Sequence, residues 1–220
     1  MRGKKDKHRK PSDEKSALTR RDFLRGASVT VSGGLLVGTP PAKAAQGAAA
    51  AKAAVMGPGA VPITLTVNGK IHKLKLEPRV TLLDALRDEL DLTGAKKVCD
   101  RGVCGTCTVF LDRKPVYACS VLAIEAQGHA ITTIEGIGSE DKLHPVMQAF
   151  VNHDAQQCGF CTPGFVMACT AFLEKHPNPT LEEVEKGLGG NLCRCGTYAG
   201  VREAVLEAAK TMKGGAHAKV

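Results

Sequence analysis

Nine cysteines occur in 220 residues, and eight of them fall into two groups of four. The first group is Cys99, Cys104, Cys107 and Cys119, spaced Cys-x4-Cys-x2-Cys-x11-Cys. Its first three members carry the spacing that plant-type [2Fe–2S] sites use, with a fourth cysteine further on. Four thiolates must converge on two irons, so a short loop wraps the cluster and a distant ligand closes it. Gly102 and Gly105 lie between these cysteines. Glycine there lets the backbone turn tightly and aim N–H groups at the cluster sulfurs.

The second group is Cys158, Cys161, Cys193 and Cys195, spaced Cys-x2-Cys-x31-Cys-x-Cys. Taken alone it is open between zinc and iron–sulfur. Structural zinc pairs usually leave two to four residues between ligands, and Cys193-Arg194-Cys195 leaves only one. Disulfides can be drawn as well, with an odd cysteine left over. Beside a plant-type loop, a second [2Fe–2S] cluster is the better reading. The ninth cysteine, Cys169, stands in the apolar run Phe165-Val166-Met167-Ala168-Cys169 and reads as a buried, inert thiol.

Charge separates the N-terminal segment from the body. The formal net charge is +8, and residues 1–44 supply 11 Lys+Arg against 4 Asp+Glu, a net of +7. The remaining 19 Lys+Arg and 18 Asp+Glu leave the body at +1, which removes the case for a nucleic-acid partner. Within that segment Arg20-Arg21 precede Phe23-Leu24, a mild apolar run spans Gly26 to Thr39, and Ala42-Lys43-Ala44 has the small-x-small cleavage pattern. The paired arginines resemble a twin-arginine export signal over 1–44. A cytosolic basic tail would need these three elements to coincide by chance. The expected route is export of the folded, cofactor-loaded chain to the periplasm through the twin-arginine machinery. Residues 45–60, rich in Ala, Gly and Pro, read as a flexible leader. With 43% hydrophobic and 24% charged residues the chain is neither disordered nor fibrous. No apolar run is long enough for stable membrane insertion.

Three stretches together point to a family. They are Cys99-Asp100-Arg101-Gly102-Val103-Cys104-Gly105-Thr106-Cys107-Thr108-Val109, Gln157-Cys158-Gly159-Phe160-Cys161-Thr162-Pro163-Gly164 and Asn191-Leu192-Cys193-Arg194-Cys195-Gly196. The set resembles the iron–sulfur subunits of molybdenum hydroxylases, the xanthine dehydrogenase and aldehyde oxidoreductase family, over residues 61 to 210. With the export signal in front, the likeness is to the subunit of periplasmic aldehyde oxidoreductases. Thr106 departs from the Ala that many members have, and a small residue there is harmless. The resemblance implies an α+β chain, with a β-grasp plant-type [2Fe–2S] ferredoxin domain followed by an all-α [2Fe–2S]-binding bundle. It implies that Cys99, Cys104, Cys107 and Cys119 hold one cluster and that Cys158, Cys161, Cys193 and Cys195 hold the other. It places Gln157 and Cys195 near the pterin of a molybdenum cofactor on a large partner subunit. FAD is expected on a medium partner subunit, and the alternatives are the same subunit of an N-heterocycle hydroxylase or a stand-alone ferredoxin-like carrier. The chain itself has no Ser/His/Asp set, dinucleotide fingerprint or phosphate loop. Substrate chemistry is therefore assigned to another chain, and this one to electron transfer.

The elements that must hold these residues follow from pattern. Ile63 to Val67 alternates, Asn68-Gly69 signals a tight hairpin, and Ile71 to Leu76 returns. Thr81 is an N-cap candidate before Leu82, Leu83, Leu86 and Leu90 at helical spacing. Strands are expected at Thr108–Leu111 and Ile131–Ile134, giving a first domain over 61–136 and a linker at 136–141. The second domain, 143–212, reads as helices at His144–Asn152, Pro163–Lys175, Leu181–Leu188 and Val201–Met212, before a flexible tail at 213–220. Pro163 suits a first turn and Thr180-x-x-Glu183 is a capping box. Both cysteine pairs of the second group lie just before helices, whose positive N-terminal ends favour a negative cluster. His144 and His153 read as surface or interface residues. Lys96, Lys97 and Arg101 read as a solvated basic face beside the first group.

Overall fold

A computed structural model describes residues 56–139 and 141–214. The expected export signal at 1–44, the expected leader as far as residue 55 and the expected tail beyond 214 lie outside the described residues. Strands β1 (Val61–Val67) and β2 (Lys70–Leu76) form a hairpin whose two-residue turn, Asn68-Gly69, has positive φ at both positions. That twist matches the right-handed twist of the strands it joins. β3 (Thr108–Leu111), β4 (Lys114–Tyr117) and β5 (Ala130–Thr132) complete a five-stranded sheet in the order β2-β1-β5-β3-β4. β1 and β5 run parallel, and the other pairs run antiparallel. Edge strand β2 blunts itself against further pairing with Lys70, Lys73 and Lys75.

The sheet's core joins Ile63, Leu65, Val67, Val109 and Ile131 to Leu82, Leu83 and Leu86. Those leucines belong to helix α1 (Leu82–Asp84), which Thr81 caps by accepting from the Asp84 N–H at 3.1 Å. The helix then widens into a π turn over Ala85–Glu89. A mixed sheet clasping a short helix is the β-grasp arrangement. Two details differ from the sequence reading. β4 is an additional strand, paired to β3 through the turn Asp112-Arg113, and β5 stops at Thr132 before a 3-10 turn at Ile134–Gly136.

The rest is helical: α2 (Pro145–Asn152), α3 (Thr162–Lys175), α4 (Leu181–Gly187) and α5 (Tyr198–Gly214). Pro163 sits in the first turn of α3, and Thr180 and Glu183 form both bonds of a capping box at α4. α5 begins before the expected Val201 and runs past 212. His144 is buried, and its ring Nδ1 accepts from the Val146 N–H at the start of α2, so it is a cap and not a surface residue. Phe165, Met167, Val184, Val201 and Val205 fill the helical core together with Cys169, which is fully buried. Phe110 of β3 belongs to that same core, so the sheet and the helices share packing. No helix among the described residues is long and apolar enough to cross a membrane.

Candidate metal centres

The loop between α1 and β3 carries Cys99, Cys104 and Cys107, and the 3-10 turn Ala118–Ser120 after β4 brings in Cys119. The thiols meet two by two, Cys99 with Cys104 and Cys107 with Cys119. Backbone N–H groups converge on the sulfurs. Val103 and Cys104 each donate to Cys99 Sγ at 3.4 Å, and Gly102 donates to Cys119 Sγ at 3.3 Å. Gly102 has φ +66, and a Cβ there would lie 2.6 Å from Ser120 Oγ, so the close approach needs glycine. The Arg101 N–H, with those of Val103 and Cys104, brings the Cys99 thiol down to about 6 against a smaller opposing effect of burial. Burial pushes Cys107 up to about 12. The loop thus offers one thiolate readily and holds another as a thiol until a cation replaces its proton.

The second group forms around two helix starts. Cys161 is the N-cap of α3, and Cys195 lies just ahead of α5. Cys158 pairs with Cys195, and Cys161 with Cys193. Burial pushes Cys161 up to about 12. Burial also works to raise Cys193, but hydrogen bonds from the Thr197 hydroxyl (3.2 Å) and N–H outweigh it and bring this thiol to about 7. The Cys193 N–H is itself held by the Tyr198 hydroxyl at 2.9 Å. Among the described residues no three metal-ligating side chains crowd one point. Instead both groups present two pairs of sulfur donors, which suits two irons with two cysteines apiece.

Gln157, Cys158 and Cys195 are each exposed, whereas Cys104, Cys107, Cys119 and Cys193 are buried. The basic residues beside the first loop are more engaged than a solvated face. Lys97 pairs with Asp84 at 2.7 Å and Asp100 at 3.3 Å, and Arg101 Nε donates to the Cys99 carbonyl. Lys96 Nζ stands 5.9 Å from the ring centre of Phe160, between Cys158 and Cys161, and so links the two cysteine loops. Sequence reasoning assigned no role to Thr197, Tyr198 or Asn191. The pair Thr197-Tyr198, one residue past Cys195 and at the head of α5, was the available signal for the first two.

Comparison with known proteins agrees with this geometry. Residues 65–129 match the 2Fe-2S iron-sulfur cluster binding domain, and residues 133–206 match the [2Fe-2S] binding domain. The aldehyde oxidoreductase iron-sulfur-binding subunit PaoA of Escherichia coli O157:H7 is 41% identical over 212 residues, 90% of each chain. The chain belongs to the iron–sulfur subunits of the molybdenum hydroxylases. Another relative of this molybdenum hydroxylase subunit is the nicotine 6-hydroxylase small subunit of Paenarthrobacter nicotinovorans, 47% identical over 148 residues, 67% of this chain and 89% of that one. Among solved structures, quinoline 2-oxidoreductase from Pseudomonas putida 86 superposes with a TM-score of 0.68 at 39% identity, covering 72% of this chain and 99% of that chain. As a member of this family the chain is an electron-transfer subunit of an oxidoreductase complex with two [2Fe–2S] binding domains.

Proposed function

We propose that this subunit serves a periplasmic oxidoreductase converting aldehydes to carboxylic acids, and reaches the periplasm folded through the twin-arginine route. An aldehyde and water give the acid with release of two electrons and two protons at a molybdenum–pterin centre on the large subunit. When bound here, the two [2Fe–2S] clusters accept and release those electrons singly. Cys158, Cys161, Cys193 and Cys195 hold the cluster nearer the pterin, with Gln157 and Cys195 turned toward it. Cys99, Cys104, Cys107 and Cys119, with Gly102 and Gly105 shaping the loop, hold the cluster from which electrons pass to a FAD subunit or an external carrier.

One observation carries the aldehyde reading. The match to the aldehyde oxidoreductase subunit runs over 90% of the chain, and so reaches into the N-terminal segment, whereas the nicotine hydroxylase match runs over 67%. A second reading, service to an N-heterocycle hydroxylase, is favoured by the higher identity of that shorter match, 47% against 41%. The test is to express the whole complex, fractionate the cells and assay the purified enzyme with aldehydes and with N-heterocycles, using an artificial electron acceptor. Turnover of aldehydes by enzyme from the periplasmic fraction is the expected result. An Arg20→Lys, Arg21→Lys double variant should leave the complex in the cytoplasm. Turnover confined to heterocycles, or unchanged export of the double variant, overturns the respective part.

A further inference from the structure

The two cysteine groups are joined by a short segment, Gly190-Asn191-Leu192, in which Asn191 is buried between exposed neighbours and which leads directly into Cys193. The Leu192 N–H donates to the Cys104 carbonyl at 3.0 Å. One hydrogen bond therefore connects a residue of the first group to the residue bonded to Cys193 of the second. Beside it the Asn191 side chain, 6% exposed, donates from Nδ2 to the Gly105 carbonyl at 2.9 Å. The Thr108 N–H and hydroxyl bond that same carbonyl. A Cβ on Gly105 would lie 2.7 Å from the Asn191 amide, and one on Gly164, in the first turn of α3, 2.5 Å from the Gly105 carbonyl oxygen. The Cys104–Thr106 backbone is thus gripped by the Asn191 segment and by the head of α3. Further along, the Tyr117 hydroxyl donates to the Gly190 carbonyl at 3.0 Å.

We infer that Asn191 is a positioning residue for electron transfer between the two centres: its side chain holds the Leu192–Cys104 hydrogen bond in place, and that bond is the coupling bridge. One electron leaves the helical-domain centre and one arrives at the ferredoxin-type centre, with no proton required to cross. Tunnelling decays steeply across gaps and less steeply along covalent and hydrogen bonds, so the route from Cys193 through Leu192 to Cys104 is favoured over any detour. Both end residues are 8% exposed, and Leu192 enters the bridge through its backbone alone, its side chain being 48% exposed. Removing the amide donor leaves the bridge without its lateral clamp, since leucine has similar volume and no donor.

The inference rests on the two-cluster reading, and its test separates the two. In the assembled complex, Asn191→Leu and Tyr117→Phe are compared with the parent for iron content, cluster potentials, inter-cluster transfer rate after pulsed reduction, and the spin–spin splitting of the fully reduced centres. Asn191→Leu is expected to keep about four irons per chain and both potentials, while transfer slows several-fold and the splitting weakens. Tyr117→Phe gives the same change to a smaller degree. An unchanged rate and splitting in iron-replete Asn191→Leu overturns the inference. Should Asn191→Leu lose iron, an unchanged rate in Tyr117→Phe overturns it. A parent complex lacking the iron overturns the two-cluster reading instead.

Discussion

A cysteine-to-serine change keeps the side chain's size but exchanges a soft thiolate for a hydroxyl that stays protonated. Cys104→Ser and Cys161→Ser should each abolish one centre and spare the other, lowering iron from about four to about two per chain. Iron analysis and electron paramagnetic resonance of the reduced protein check this, and loss of neither signal refutes the ligand sets. Cys169→Ala is the control. This thiol is fully buried in the helical core, where desolvation holds it well above the ordinary thiol range. Its removal costs about 1 kcal/mol through a small cavity and leaves both signals intact. The eight candidate ligands were legible because their chemistry demands one residue type at tight spacing. Asn191 was not legible, because an amide in a loop is ordinary until the fold sets it against Gly105, 86 positions away.

Two acidic side chains of α5 reach the end of α2, Glu207 with the shorter contacts. Glu207 accepts from Asn152 Nδ2 at 2.6 Å and meets His153 Nε2 at 2.5 Å, with Glu203 3.4 Å from the other ring nitrogen and Lys210 nearby. The Asn152 hydrogen bond first, then His153, holds the Glu207 carboxyl below its ordinary value of 4.5. A lowered carboxyl pKa stabilises the fold fully above the ordinary value, and that contribution is lost as pH falls through the lowered one. Glu207→Gln should therefore melt earlier than the parent at neutral pH, and the two curves should converge as pH falls below 4.5 and through the lowered value. Thermal melts across that range decide it, and a gap of constant size refutes the link. At this scale the hairpin at Asn68-Gly69 was readable because asparagine and glycine advertise positive φ. The second hairpin makes the same turn with Asp112 at φ 49 and Arg113 at φ 66, residues that give no such signal, and β4 went unread with it. The stripe from Leu82 to Leu90 marked a helix, but periodicity carries no cue for the π turn over Ala85–Glu89.

Across the whole molecule, two family matches meet on one strand. β3 is buried on both faces, sending Val109 into the sheet's core and Phe110 into the helical core among Phe165, Val166 and Leu173. Arg113 of the β3–β4 turn adds a bond to Glu174 of α3 at 2.9 Å, but an exposed pair of this kind contributes little. Phe110 is thus the main apolar link between the sheet and the helices. The unbroken apolar run Val109-Phe110-Leu111 was readable as a strand, yet which core each face served depended on where α3 came to rest. Because the two cores share this side chain, the iron-loaded chain should unfold in a single transition. Phe110→Ala removes the ring from a site 1% exposed and costs about 3–5 kcal/mol. That cost falls on the helical core and its junction with the sheet, and the sheet's own core keeps its members. Calorimetry of the variant should then resolve two transitions, the helical part melting first because it has lost the ring. A variant that still melts as one unit, at the parent's temperature, would refute Phe110 as the main link between the halves.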